Sequence, residues 1–315
     1  MNRLDRVRAG QTGAIARMIS RVERGSDGVA EELAELHRAG GHAHVIGITG
    51  AAGSGKSTLV SALTAHYRRT GRTVGILAVD PSSVFSGGAI LGDRIRMSEL
   101  SGDDGVFIRS IATRGALGGL SRAALDAITV LDAAGKDVII LETVGVGQAE
   151  VDVISAAQSV AVVSVPGMGD DVQAIKAGLL EIADVHVINK ADRDGARKAY
   201  AEIRDMLRMS TRSEGSWEVL IVQTVASAGT GVAELAEKFD EHHAWMTASG
   251  ELDRRAKHTA AMRIRWMAEQ IVLDRLRAGQ PDFDHEVQRV AELSTDPLHA
   301  ARRLLSEPLN VMGAR

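Results

Sequence analysis

Residues 50–57 read Gly50-Ala51-Ala52-Gly53-Ser54-Gly55-Lys56-Ser57, the full pattern G-x-x-x-x-G-K-[ST]. Glycines at this spacing let the main chain curl until successive N–H groups point inward, where they bond phosphate oxygens. A helix that starts at the end of the loop adds the positive end of its dipole at the same place. Lys56 then reaches the β- and γ-phosphates, and the Ser57 hydroxyl is placed to ligate Mg²⁺. The local pattern agrees: His44-Val45-Ile46-Gly47-Ile48-Thr49 is a β-branched run, and Ser57 to Arg69 is helix-patterned. Gly50, Ala51, Ala52, Gly53, Ser54, Gly55, Lys56, Ser57 and Thr58 are therefore the expected phosphate-binding set, in a strand–loop–helix unit.

Outward from this unit, strand and helix patterns alternate from residue 44 to about 248. Candidate strands are 44–49, 73–79, 105–111, 137–142, 159–165, 185–189 and 218–224, with helices near 57–69, 121–134, 173–182, 194–209 and 231–246. Solid apolar runs such as Val138-Ile139-Ile140-Leu141 and Val160-Ala161-Val162-Val163 suit strands covered on both faces, hence a mainly parallel sheet flanked by helices. The expected fold class is α/β, a P-loop NTPase, with its ligand at the carboxyl ends of the strands. Residues 1–41 read as an N-terminal helical extension, with amphipathic stretches from Gly13 to Val22 and Val29 to Arg38, and with Gly40-Gly41 punctuating the boundary. The nucleotide domain covers 42–248. Residues 249–315 read as a C-terminal helical arm: a long helix with an apolar stripe from Ile264 to Leu273, a break at Gly279-Gln280-Pro281, and two shorter helices.

Composition narrows the function. The chain has 315 residues and a net charge of −4, so no global basic field argues for nucleic acid. Aromatic residues make up only 3%, which leaves no base-stacking platform. There is no cysteine, which removes disulfides, thiolate chemistry and cysteine-based metal sites, and fits a cytoplasmic location. No apolar run is long enough to span a membrane. His242-His243, the adjacent histidine pair, reads as a helix-surface pair.

Asn189-Lys190-Ala191-Asp192 follows the strand-like Asp184-Val185-His186-Val187-Ile188 and matches N-K-x-D. A carboxylate at Asp192 accepts from guanine N1–H and the 2-amino group. Adenine offers neither donor, and a polar site left unpaired discriminates by factors reaching ~10⁴. Lys190 should lie along the base and Asn189 should brace the loops. Ser227-Ala228-Gly229 follows the last strand, where the Ala228 N–H is placed to meet guanine O6; a plain loop reads equally well there. The expected ligands are thus GTP or GDP with Mg²⁺. For the metal, Ser57 is joined by Asp80, which ends the second strand, and by Glu142, which ends the fourth; Asp93 is an open candidate. Glu142-x-x-Gly145 stands where D-x-x-G is usual, and the Gly145 N–H would sense the γ-phosphate, so Lys56, Asp80, Glu142 and Gly145 form the expected catalytic group. Val146 occupies the place of a water-orienting glutamine, with Gln148 offset, which predicts slow intrinsic hydrolysis. Arg94, Arg96, Arg109, Arg114 and Arg122 are candidates for an arginine finger.

Three further segments carry a resemblance: Ala78-Val79-Asp80-Pro81-Ser82-Ser83, Ser86-Gly87-Gly88-Ala89-Ile90-Leu91-Gly92-Asp93-Arg94-Ile95-Arg96-Met97, and Glu142-Thr143-Val144-Gly145-Val146-Gly147-Gln148. They resemble the MeaB/ArgK family, G-protein chaperones of adenosylcobalamin-dependent acyl-CoA mutases, once labelled transport-system kinases. The resemblance implies a SIMIBI-class G domain with helical N- and C-terminal extensions, and a homodimer formed through the C-terminal arm. It also implies a partner-stimulated GTPase that gates cofactor loading and protects the mutase. Asp93 joins the metal and switch regions on this resemblance. Pro166-Gly167-Met168-Gly169-Asp170-Asp171-Val172-Gln173-Ala174-Ile175-Lys176 matches the switch that senses the mutase, which makes Asp170, Asp171, Gln173 and Lys176 its coupling residues. Ala51-Ala52 departs from relatives that carry proline there, a change the backbone cradle should tolerate. Nickel-enzyme maturation, by a neighbouring SIMIBI family, and a transport kinase are the alternative readings. The lack of cysteine counts against the first and the guanine motif against the second.

Overall fold

Burial on both faces explains why the apolar runs become central strands. In β4 (Val138–Thr143) of the computed structural model, Val138 and Ile140 enter one core while Ile139 and Leu141 enter the other. The structure describes residues 1–80, 100, 102–112, 122–143, 156–167, 182–209, 215–277 and 279–306. Seven parallel strands form one sheet: β1 (His44–Gly50), β2 (Val74–Asp80), β3 (Val106–Ala112), β4, β5 (Ser159–Ser164), β6 (Val185–Asn189) and β7 (Leu220–Thr224). Their order is β3-β2-β4-β1-β5-β6-β7. Every expected strand is present, with the expected edges met to within two residues. The crossover from β1 to β4 and β5 on either side puts the carboxyl end of β1 at the middle of the sheet, where ligands of such folds bind.

The described helices are α1 (Arg3–Arg8), α2 (Thr12–Arg24), α3 (Val29–His37), α4 (Lys56–Arg69), α5 (Arg122–Ala133), α6 (Ala196–Met209), α7 (Val232–Ser249), α8 (Glu251–Arg275), α9 (Pro281–Ala291) and α10 (Pro297–Ser306). The expected helix at 173–182 lies almost wholly outside the described residues. One face of the sheet is covered by α4 and α7, through Leu59, Leu63, Leu235 and Phe239. The other is covered by α5 and by α1–α3, through Leu131, Ile15, Met18, Ile19 and Leu36. Ile15, Met18, Ile19 and Val22 follow the i, i+3, i+4, i+7 spacing, so one stripe of α2 is buried. Fully burying side chains of this size stabilises by roughly 1.5–3 kcal/mol each before the entropy of ordering them.

Two features of the N-terminal segment were not foreseen. Helix α1 exists because Asn2 and Asp5 cap each other: Asp5 N–H donates to Asn2 Oδ1 at 2.8 Å and Asn2 N–H to Asp5 Oδ2 at 3.0 Å. Gly40-Gly41 is more than punctuation. His42 N–H and Ala43 N–H donate to Asp132 Oδ1 at 3.0 and 2.9 Å, and Gly41 N–H donates to Asp132 Oδ2. A Cβ at Gly40 would stand 2.7 Å from Asp132 Oδ2, so glycine lets the chain close around this carboxylate.

The chain divides into two compact units, Met1–Asp253 and Arg254–Arg315. In the second, α9 starts with proline at its first turn, and Glu286 accepts from Arg289 at 3.1 Å, with Arg303 3.3 Å away. No described helix is long and apolar enough to cross a membrane. The surface reading of His242-His243 is corrected: His242 is fully buried against the sheet and His243 is half-buried.

Candidate nucleotide site

The loop between β1 and α4 depends on glycine at three points. Gly50 has φ 138°, and a Cβ there would lie 2.1 Å from the Val163 carbonyl oxygen of β5. Gly53 and Gly55 have φ 75° and 88°, the left-handed region that suits glycine. A Cβ on Gly55 would also lie 2.5 Å from Asn189 Nδ2, so the phosphate loop and the N-K-x-D turn are in direct packing contact. Gly55 is the N-cap of α4 and supplies no side-chain cap, which leaves the first-turn N–H groups available to an anion. Ala51 and Ala52 sit within this turn without disturbing it; Ala51 is buried and Ala52 is exposed.

Lys56 opens α4 and is only 5% exposed. Its Nζ donates to the Gly50 and Ala51 carbonyls at 2.7 and 2.9 Å, which offsets the cost of burying the ammonium and holds it inside the loop. Ser57, on the next position of the helix, donates to Glu142 Oε1 at 2.6 Å. Glu142 is buried at the end of β4, where it pairs in register with Ile48 of β1 and Ala78 of β2. Two of the four expected metal ligands thus meet. The main chain of Asp80 ends β2 beside them, one position beyond the Val79–Thr143 pair. The side chain of Asp80 lies outside the described residues, as do Asp93, Gly145, Val146, Gln148, Asp170, Asp171, Gln173 and Lys176. Sequence reasoning missed a pair beneath this corner: Thr143 Oγ1 lies 3.1 Å from Thr49 Oγ1, tying the end of β4 to β1. Both threonines flank residues already singled out, which is the only signal the sequence offered.

Asn189 is the joint of the base side. Its Nδ2 donates to the Ser54 carbonyl at 2.9 Å, and its Oδ1 accepts from Thr224 Oγ1 and the Ala226 N–H, each at 3.1 Å. One buried side chain therefore connects the phosphate loop, the end of β6 and the loop after β7. Lys190 is held at φ 56°, which is unusual for a side chain of this kind, and its Nζ donates to the Gly53 carbonyl at 2.8 Å. Non-glycine residues in this region cost of order 1–3 kcal/mol and concentrate at functional sites. The Ala191 N–H donates to the Thr224 carbonyl at 3.0 Å, which leaves Asp192 exposed beyond the turn.

Ser227, Ala228 and Gly229 are exposed in a tight turn after β7. The Ala228 N–H donates to the Val225 carbonyl at 2.9 Å, so contact with a base oxygen would have to share this donor. Gly231 lets the turn fold back, since a Cβ there would meet the Gln223 carbonyl oxygen at 2.1 Å. Of the arginine candidates, Arg109 is engaged elsewhere: it pairs with Glu23 and donates to Ser20 Oγ at 2.9 Å, both on α2. Arg94, Arg96, Arg114 and the side chain of Arg122 lie outside the described residues.

Residues 15–281 match the family described as methylmalonyl Co-A mutase-associated GTPase MeaB. The chain belongs to the MeaB family of P-loop GTPases. A Pyrococcus abyssi protein named as a GTPase is 44% identical over 96% of this chain and 95% of its own length. GTPase ArgK of Escherichia coli is 38% identical over 76% of this chain and 73% of its own. A solved structure described as a LAO/AO transport system kinase superposes with a TM-score of 0.72 and 26% identity, covering 96% of this chain and 95% of that one. The MeaB match spans both motifs of the site and reaches from α2 to the start of α9.

Proposed function

We propose that this MeaB-family protein is a guanine-nucleotide-dependent chaperone of an adenosylcobalamin-dependent acyl-CoA mutase, gating cofactor loading and protecting the enzyme. The observation that carries the nucleotide part is the Asn189 joint, which locks the guanine motif onto the phosphate loop. The family match carries the mutase part. Asp192 reads the guanine edge, Lys190 lies beside the base, and Ser227, Ala228 and Gly229 close the pocket. The residues from Gly50 to Thr58 hold the phosphates.

The reaction is attack of water on the γ-phosphoryl group with release of GDP. Positioning and charge neutralisation account for its catalysis. Lys56 neutralises charge on the β- and γ-phosphate oxygens, and the N–H groups of the loop hold the β-phosphate of the departing GDP in line with the attacking water. Ser57 and Glu142 are oxygen donors 2.6 Å apart, a hard donor pair that fits Mg²⁺; Asp80 and Asp93 complete the proposed set. When bound, Mg²⁺ supplies charge neutralisation at the phosphates. With Val146 in place of a glutamine, basal turnover is slow and rises when the mutase engages the switch that contains Asp170, Asp171, Gln173 and Lys176.

The active unit is a homodimer in the cytoplasm. Ile264 and Ile271, two helical turns apart on α8, are 70% and 45% exposed, and Leu273 is 55% exposed. The occupant we assign to this stripe is the same arm of a second copy. The test of the function is co-purification: tagged full-length protein with a non-hydrolysable GTP analogue should retain a cobalamin enzyme from native lysate. That enzyme should accelerate GTP hydrolysis. Retention of no such enzyme, together with no stimulation by a purified acyl-CoA mutase from the same source, would overturn it. The kinase reading is separated by offering ATP, which should neither bind well nor be consumed.

A further inference from the structure

At the end of the sheet opposite the phosphate loop, four buried side chains form a line. His44 opens β1, Ser159 opens β5, Asp184 immediately precedes β6, and His242 projects from α7. His44 Nε2 is 2.8 Å from Ser159 Oγ, and that oxygen is 2.7 Å from His242 Nδ1. His242 Nε2 is 3.3 Å from Asp184 Oδ1. Asp184 is itself fixed: Val160 N–H donates to its Oδ2 and the Trp217 indole N–H donates to its main-chain carbonyl, both at 2.9 Å. Packing covers the line. The rings of His242, Trp217 and Trp245 form one cluster, with His242 4.9 and 5.8 Å from the two tryptophans and these 5.6 Å from each other, and the His44 ring is 4.5 Å from that of His243.

With both imidazoles neutral, the direction of every proton in this line is set. An ionised carboxylate only accepts, so the nitrogen that faces Asp184 carries hydrogen, and His242 is the Nε2–H tautomer. Its Nδ1 is then an acceptor, and Ser159 donates to it. Ser159 Oγ in turn accepts from His44 Nε2–H. In this form His44 and Ser159 each pass one hydrogen bond onward, and His242 turns its Nε2 toward the Asp184 carboxylate. The charged and titratable groups around the line are Asp184 before β6, His243 and Asp240 on α7, Arg72 after α4, and Asp137 before β4. Arg72 is bidentate on Asp240, at 2.7 and 3.0 Å. A second proton on His44 would place a charge in a buried site that faces two other imidazoles and Arg72. Burial first, then His243, His242 and Arg72, hold His44 well below the usual histidine range. Burial also lowers His243, with Asp240 opposing.

We propose that the His44–Ser159–His242–Asp184 line is an acid-releasable clasp that fastens α7 to the strand floor of the nucleotide unit. Helix α7 also carries Leu235 and Phe239 into the core shared with α4, so the clasp and that core hold the same helix from two sides. The unfolded or detached chain binds a proton on His44 near the ordinary value of ~6.5, and the closed clasp refuses it until lower pH. Stability is therefore complete above about pH 6.5 and falls as pH drops below it, by up to about tenfold in the closing equilibrium per pH unit for each histidine held neutral.

The test uses the full chain. Imidazole ¹⁵N shifts should show His44 and His242 as neutral Nε2–H tautomers at pH 6.5, with His44 taking up its second proton only below the ordinary histidine value of ~6.5. In urea unfolding between pH 6.5 and 5, followed by Trp217 and Trp245 emission in a Trp266→Phe background, stability should fall with pH. His44→Gln, whose amide still donates to Ser159 but does not titrate, should have a shallower slope by up to tenfold per pH unit. A His44 that protonates near 6.5, an Nδ1–H tautomer at either histidine, or equal slopes in the two proteins would each overturn the proposal. Should His44→Gln fail to fold, the wild-type titration decides alone.

Discussion

The two ends of the same sheet handle buried polar groups in opposite ways. At the carboxyl end the donors and acceptors belong mostly to the main chain, arranged by Gly50, Gly53 and Gly55 and by a lysine held in the left-handed region. At the amino end they belong to side chains that satisfy one another in a closed line under two tryptophans. The first arrangement leaves α4 uncapped and its N–H groups directed at a ligand. The second turns its described side-chain polar atoms toward one another. A ligand-binding end keeps main-chain capacity in reserve at a cost in strain, whereas a structural end uses its capacity internally at a cost in pH tolerance.

The largest expected effect breaks the ligand end. Lys56→Ala removes the buried ammonium that the loop's own Gly50 and Ala51 carbonyls hold. Single-turnover assays should show hydrolysis reduced by about 10²–10³-fold, as for loss of one preorganised charge-stabilising donor, while circular dichroism stays native. Next, Asn189→Ala leaves the Ser54 carbonyl and the Ala226 N–H without this partner. Urea unfolding should report a loss of about 2–4 kcal/mol, with weaker GTP binding, because two loops lose one joint. At the other end, acidification from pH 7 to 5 should weaken wild-type folding in the direction that His44 and His243 set. Both are lowered, so stability is present above the ordinary histidine value and lost as pH falls through the folded values. The ligand end should contribute little to that slope, which sharpens the contrast. On the C-terminal unit, Ile264→Asp should shift the dimer to monomer in sedimentation and leave GTP affinity unchanged. The smallest effect is Arg109→Ala. Losing its pair with Glu23 should cost about 1 kcal/mol and leave hydrolysis untouched, since this arginine is bound to α2.

The contrast also explains what could be read from residues alone. The strands were legible because burial on both faces writes continuous apolar runs, and the phosphate loop because its geometry demands glycine at fixed spacing. Asn189, Lys190, Ser57 and Glu142 were legible as types, since each sits at a strand end or helix start. Their contacts were not: the Asn189–Ser54 bond spans 135 positions and the Ser57–Glu142 bond 85. The amino end was misread for the same reason. His242-His243 looks like a surface pair until Ser159 and Asp184, each distant in sequence, are brought beneath it. Arg109 looked like a free cation near the site because nothing local marks Glu23 as its partner. The Asp132 clasp around Gly41–Ala43 was equally invisible, a carboxylate some 90 positions from the amides it accepts.

The central claim is that the braced turn at Asn189-Lys190-Ala191-Asp192 makes this a guanine-specific site. Titration of the purified protein with GTP and ATP, with and without Asp192→Asn, tests it most directly. The account predicts that wild type prefers GTP over ATP by factors approaching about 10⁴, and that Asp192→Asn loses most of that preference and gains affinity for xanthosine triphosphate. Equal affinity of the wild type for GTP and ATP would contradict it.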